Sequence, residues 1–284
     1  MGDVGDAGDE DGRPSRQARA GEGQPVDALA ARWLRLVPAL RDAELRIRFV
    51  RTELEQAGLA EAADALEVIA SATEQADELA RQVLAAALPT LTDPLWQTRL
   101  DAVRAEAGRM RHLALSRLLR QRLVHDPGPA EPGDVPLATN HAGRTLTLGE
   151  RKAHARRPNR FMLDRLLRDP DPSVVRNLLQ NPRITEDDVV RMVARRPNHA
   201  AVLEEVAKHP KWSGSLRTRL AIVLNPYTPT YLSVPLVPLL LRHELAQVTS
   251  ATTTPAVVRA AAVELLERRP PIRRSEMSDD DVVQ

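Results

Sequence analysis

The 284-residue chain has no cysteine. That absence excludes disulfide frameworks, thiolate metal sites, iron–sulfur clusters and cysteine nucleophiles, and it fits a reducing, cytoplasmic setting. Aromatics are nearly as scarce: Trp33, Trp96, Trp212, Tyr227, Tyr231, Phe49 and Phe161 are the whole set. Strands draw on aromatic and β-branched side chains, so this scarcity beside abundant Ala, Leu, Arg and Glu predicts an all-α fold. It also argues against a platform on which single-stranded bases stack. Lysine occurs only at 152, 208 and 211. The remaining basic residues are arginine and travel with much Ala, Pro and Gly, a GC-rich coding bias that gives the arginine excess no functional weight by itself. No apolar run reaches the ~18–20 residues that a bilayer crossing needs. The acidic start, Met1-Gly-Asp-Val-Gly-Asp6, predicts no signal peptide, and Asp6 stands where a myristoylation motif wants Ser or Thr. The expectation is a soluble cytoplasmic protein without a membrane partner.

What is present is unevenly charged. Residues 148–270 hold 20 basic against 12 acidic side chains, whereas residues 1–147 hold 18 against 23 and residues 271–284 hold 2 against 4. Residues 1–25 and 271–284 read as a disordered acidic leader and an acidic tail, because neither carries the apolar surface that would offset ordering entropy. Residues 26–125 read as three helices. In the first, Trp33, Leu36, Leu40, Ala43, Ile47, Val50 and Leu54 recur at alternating steps of three and four, the seam of a helix packed lengthwise on another. Pro38 kinks or breaks it. The second continues the seam through Leu59, Ala62, Leu66, Ile69, Thr73, Ala76, Ala80 and Val83, and the third starts at Pro94, capped by Thr92 or Asp93. Short connections predict an antiparallel three-helix bundle or coiled-coil hairpin, with a homo-oligomer through residues 26–125 as the sharper alternative. Residues 126–147, rich in Pro and Gly, predict an extended linker.

Beyond the linker the rhythm shortens. Arg157-Pro158-Asn159, Asp169-Pro170-Asp171-Pro172, Asn181-Pro182, Arg196-Pro197-Asn198, His209-Pro210 and Asn225-Pro226 punctuate amphipathic stretches, with first prolines 12 to 16 residues apart. Proline ends one helix, and a capping residue (Asp171, Thr185, Thr228 or Thr254) starts the next. Pro172, Pro229 and Pro255 are expected at first helical positions. Each stripe is too short to stand alone and must pack on its neighbours, so residues 148–270 predict about nine helices in an α-solenoid. Pro235 and Pro238 predict a kinked, buried helix within the apolar run 231–241.

Asn225-Pro-Tyr-Thr-Pro-Thr-Tyr-Leu232 resembles the Asn-Pro-x-Thr-Pro-x-x-Leu core of the bacterial leucine-rich repeat variant family, and Asn181-Pro-Arg-Ile-Thr-Glu-Asp-Asp-Val189 is a looser copy. The resemblance covers about residues 150–268. It implies a right-handed superhelix of paired short helices akin to HEAT and armadillo solenoids. Some members carry an iron–sulfur module, which a chain without cysteine cannot.

Chemistry is sparse. The histidines at 112, 125, 141, 154, 199, 209 and 243 form no His-x-x-x-His set; only His199 and His209 fall at opposite ends of one helix. No phosphate loop, Gly-x-Ser-x-Gly or Ser-x-x-Lys occurs. The acid pairs Asp187/Asp188 and Glu204/Glu205 are explained by helix electrostatics. No catalytic residue, metal or cofactor is expected. The one distinctive surface is Arg151, Lys152, Arg156, Arg157, Arg160, Arg165 and Arg168, within eighteen residues. The leading expectation is a non-enzymatic scaffold that binds a protein partner on the solenoid. A solenoid tracking nucleic-acid phosphates through those cations ranks second, and a repeat-fold enzyme third.

Overall fold

The computed structural model describes residues 28–120, 133, 135–140 and 142–269. The leader, the tail and much of the linker lie outside that set. The fold is all-α: among the described residues the only β interaction is an isolated bridge between Thr139 and Thr145. No described helix is long and apolar enough to cross a membrane.

Among the described residues the first half forms six α-helices rather than three: α1 (Ala28–Ala39), α2 (Ala43–Gln56), α3 (Leu59–Glu74), α4 (Glu78–Leu91), α5 (Gln97–Met110) and α6 (Leu113–Leu118). Pro38 sits in the last turn of α1, and Asp42 then caps α2 by accepting from the Leu45 N–H at 2.9 Å. The alanine-rich α3 is the central element, touching α1, α4, α5 and α6. Its Leu66 and Ile69 are buried with Trp33, Leu84, Val103 and Leu115.

The expected seam across residues 59–83 is interrupted. After α3 the chain turns through Ala76 at φ 67°, with the Asp77 N–H reaching the Ala72 carbonyl at 3.0 Å and the Ala76 N–H reaching that of Thr73 at 2.9 Å. This two-bond closure demands a left-handed residue, usually glycine. Asp77 then caps α4 through the Ala80 N–H at 2.8 Å. Ala76 is therefore exposed at a turn instead of buried on a seam. Its Cβ is strained there, so Ala76→Gly is expected to stabilise the protein by about 1 kcal/mol. Urea unfolding checks this, and a neutral or destabilising result would contradict the turn. A second left-handed residue, Arg111 at φ 59°, separates α5 from α6.

The second half contains ten α-helices among the described residues: α7 (Leu148–Arg156), α8 (Arg160–Leu166), α9 (Pro172–Leu179), α10 (Glu186–Ala194), α11 (Ala200–Lys208), α12 (Pro210–Ser213), α13 (Leu216–Leu224), α14 (Thr230–Leu236), α15 (Arg242–Ser250) and α16 (Ala256–Arg268). Thr147 and Glu150 form a capping box on α7, and Thr185 and Asp188 form one on α10. Asp171 caps α9, with Pro172 in its first turn. Pro229 and Pro255 stand one position earlier than expected, at the caps of α14 and α16. Thr228 faces backward: its hydroxyl donates to the Ile222 carbonyl at 2.5 Å, closing α13 rather than opening α14. The apolar run bends as its prolines require, α14 passing into a 3₁₀ turn at Val237–Leu239 with Val234, Leu236, Val237 and Leu239 buried.

Packing runs between alternate short helices, α7 on α9, α9 on α11, α10 on α13 and α13 on α15. The two Asn-Pro asparagines make these contacts polar as well as apolar. Asn181, just past α9, donates to the Ala155 and Arg157 carbonyls at 2.7 and 3.0 Å, at the end of α7. Asn225, just past α13, donates to the Val193 and Arg195 carbonyls at 2.6 and 2.9 Å, at the end of α10. Each accepts from the N–H two residues on, Arg183 and Tyr227 respectively, both at 3.0 Å. The side chains thus satisfy helix-end carbonyls that have no partner within their own helix.

The described residues of the two halves pack together. Arg120 is paired with Glu264 across the halves at 2.6 Å, while Arg117 holds Glu74 within the first half at 2.5 Å. Arg81 donates to the Leu239 carbonyl at 2.6 Å. Arg269, only 7% exposed, donates to the carbonyls of Thr73 and Glu74 at the end of α3 and to those of Pro238 and Leu240. The buried apolar residues of both halves form one continuous core.

A candidate arginine-lined groove

The seven basic residues singled out from the sequence do not form one surface. Arg151 is 7% exposed and reaches Asp169 at 2.5 Å, tying α7 to the turn before α9. Burial raises the proton affinity of Asp169, and the bond from Arg151 opposes that effect. Helix α7 ends at Arg156, so Lys152, Arg156 and Arg160 do not share a continuous helical face. Arg156 instead donates to Asn177 on α9 at 3.1 Å, and Arg157 is exposed. Arg160 is committed to carboxylates: it donates twice to Asp188 at 2.6 Å and also reaches Asp164 at 2.6 Å. Asp188, buried, also accepts from Thr185 and Arg191. The Arg160 bonds, against the opposing effect of burial, hold its carboxyl far below the usual range.

Arg165 and Arg168 have a different setting. Asn159 caps α8 by accepting from the Met162 N–H at 3.3 Å, which leaves Phe161 facing solvent at 60% exposure. Arg165 lies over the Phe161 ring with its guanidinium carbon 5.6 Å from the centroid, and it donates to Thr139 at 2.7 Å. Arg168, one turn further on, is exposed. It faces the end of α10, where Asn198 closes the helix by donating to the Met192 carbonyl at 2.9 Å. That closure turns Arg195 and Arg196 out at the negative end of the helix dipole, a favourable place for cations. Arg195 donates to the Arg168 carbonyl at 3.0 Å, and Arg196 to Thr253 and the Leu224 carbonyl at 3.3 and 2.6 Å.

Between these ends lies an open cleft of about 900 Å³, floored by Leu167 and Met192 and walled by Arg168, Arg191, Arg195 and Arg196. The segment around Pro136 edges it, and past Asp164 and Arg168 a shallower hollow of about 380 Å³ continues to Phe161 and Arg165. Asp164 and Arg191 are internally balanced through Arg160 and Asp188. Among the described residues, no carboxylate lies within ion-pair distance of Arg168, Arg195 or Arg196. The Arg195 guanidinium holds its proton less tightly than usual, through burial and then the like charge of Arg168.

Arg191, Arg195 and Arg196 were not anticipated, because they lie some thirty residues beyond the basic cluster and arrive through helix packing. A signal existed: Arg-Arg-Pro-Asn occurs at both 156–159 and 195–198. Other chemistry is structural. Glu205 pairs with Arg176 on α9 at 2.6 Å, and Asp187 with Arg217 on α13 at 2.7 Å. His199 and His209 flank α11 as its two caps. Among the described residues, no group of three or more His, Asp and Glu side chains is placed to hold a metal ion. No family model, curated protein or solved structure matches this chain.

Proposed function

We propose that the protein is a non-enzymatic cytoplasmic adaptor, and that its helical-repeat half grips an extended acidic segment of a partner protein in the arginine groove. The observation that carries this reading is the set of three guanidiniums, Arg168, Arg195 and Arg196, around an apolar floor with, among the described residues, no carboxylate within ion-pair distance of them. Such a groove takes acidic side chains on its walls and apolar ones on its floor, with exposed Phe161 extending the apolar contact. The matched bonding of Asn181 and Asn225 supports reading residues 148–270 as a solenoid of the leucine-rich repeat variant type.

Nucleic acid is the competing occupant. Asp164 inside the groove and its apolar floor disfavour a phosphate backbone. The test is fluorescence anisotropy on the full chain with an acidic, leucine-containing peptide and, separately, a DNA duplex, each across a salt series. Peptide binding that weakens at least tenfold in Arg168→Glu is expected. Duplex binding in place of peptide binding, or peptide binding unchanged in Arg168→Glu, overturns the proposal.

A further inference from the structure

A second cationic space, which shares no lining residue with the groove, lies where the two halves meet. It is a cavity of about 390 Å³ between α2 and α4 on one side and α12, α13 and Leu241 on the other. That volume is in the range of small-molecule sites, ~300–1,000 Å³. Arg46 enters it from α2, Arg81 from α4 and Arg219 from α13.

The charges do not balance. Arg219 is 8% exposed, yet its guanidinium donates only to neutral carbonyls, Leu239 at 3.1 Å and Gly214 at 3.0 Å, and its Nε has no partner. Arg81 donates to the same Leu239 carbonyl, so two guanidiniums converge on one neutral oxygen. Burial and the nearby Arg81 charge push the Arg219 side chain down to about 10. Arg46 spends its bonds on the Leu40 and Pro38 carbonyls, at 2.6 and 3.5 Å. The lining contains one carboxylate, Glu78, which sits at the rim with its side chain 73% exposed and 3.6 Å from Arg81. Within the lining, three cations face one solvated anion; the buried Glu244, which also acts on Arg219, lies outside the lining and is engaged with the Leu241 N–H at 2.7 Å. Cations gathered in a low-dielectric space need a counter-charge.

The geometry points to a binding site for a phosphate monoester carrying a small apolar body. A phosphate monoester bears about −1.5 to −2 charge at pH 7, which opposes the cationic lining, and guanidinium forks suit its oxygens. The rest of the lining is apolar: Ile47 and Ala85 from the first half and Leu216 from the second would take the ester's hydrocarbon. Because both halves supply walls, the bound ester holds them together and stabilises the folded chain by mass action.

The experiment is titration calorimetry and thermal unfolding of the full chain with phenyl phosphate, inorganic phosphate and benzoate as probes. Phenyl phosphate is expected to bind at least tenfold more tightly than either comparator and to raise Tm by several degrees. Gln82, which also lines the cavity, provides the decisive variant. Gln82→Glu supplies the missing negative charge in nearly the same volume, so it should raise Tm without ligand and reduce phenyl phosphate affinity at least tenfold. Arg168→Glu, in the groove and outside this cavity's lining, should leave that affinity unchanged. Equal binding of inorganic phosphate and phenyl phosphate, binding indifferent to Gln82→Glu, or binding lost in Arg168→Glu each overturns the inference, and none of them bears on peptide binding in the groove.

Discussion

Arg269→Ala is expected to lower the stability of the whole protein by about 3–5 kcal/mol, the range for breaking a buried charged network. For a folded unit of this size that corresponds to a fall in Tm of roughly 10 °C. One guanidinium here satisfies four carbonyls from two places, Thr73 and Glu74 at the end of α3, and Pro238 and Leu240 around the 3₁₀ turn. Truncation takes this donor from all four oxygens, of which Thr73 alone is described with a second, the Ala76 N–H, and it also removes packing between the halves. Burial and the neighbouring Arg81 charge lower the Arg269 side chain to about 10, so it remains protonated at neutral pH and its bonds stay charge-assisted. Arg269→Lys should recover little, since one ammonium cannot span the four acceptors. Differential scanning calorimetry of both variants checks the expectation. A loss below about 1 kcal/mol in Arg269→Ala would mean that the halves are held by apolar packing alone.

Asn225→Ala is expected to reduce stability by about 2–4 kcal/mol, because it orphans two helix-end carbonyls and one backbone N–H in the core. Asn225 is 1% exposed, which leaves no room for solvent to substitute. Its effect reaches the groove. The Arg195 carbonyl is one of its two acceptors, so losing the clamp frees the backbone that presents Arg195 and Arg196. Peptide affinity should fall several-fold in the remaining folded protein. Asn181→Ala supplies the control: it removes the same set of bonds at the end of α7, without touching the backbone that presents Arg195 and Arg196. Comparable destabilisation with intact peptide affinity is expected there. Equal loss of affinity in both variants would assign the effect to general loosening.

What could be read from the sequence was mostly what is decided locally. Asp171-Pro172 and Thr185 with Asp188 announced helix starts that the structure contains, because a cap needs only a short side chain and the next turn's N–H groups. The all-α class followed from composition. The turn at Ala76 was invisible, since the left-handed position that glycine usually marks is filled by an alanine that also fits a seven-residue seam. The joining of the halves was equally silent. Arg81, Arg120 and Arg269 act across 158, 144 and 195 residues of sequence, and a single arginine carries no mark of a distant carbonyl or carboxylate.

The same reasoning explains how the basic cluster was divided. Seven cations in eighteen residues look alike on paper, yet helix geometry sends Arg151 inward to Asp169 and fixes Arg160 on Asp188. Arg165 and Arg168 alone reach the groove, and its other cations come from the end of α10. Spacing can identify a face of one helix. It cannot say which faces of two helices will meet.

The Pro238–Leu240 turn has a consequence for how the chain is made. Its carbonyls receive arginines from α4, from α13 and from just beyond α16, so donors that emerge early and late in synthesis share one set of acceptors. On the ribosome, α3 and α4 are complete in sequence long before Arg269 leaves the exit tunnel. Until then the ends of α3 wait for their last hydrogen bonds, and the opening half of the protein is finished only by its closing helix.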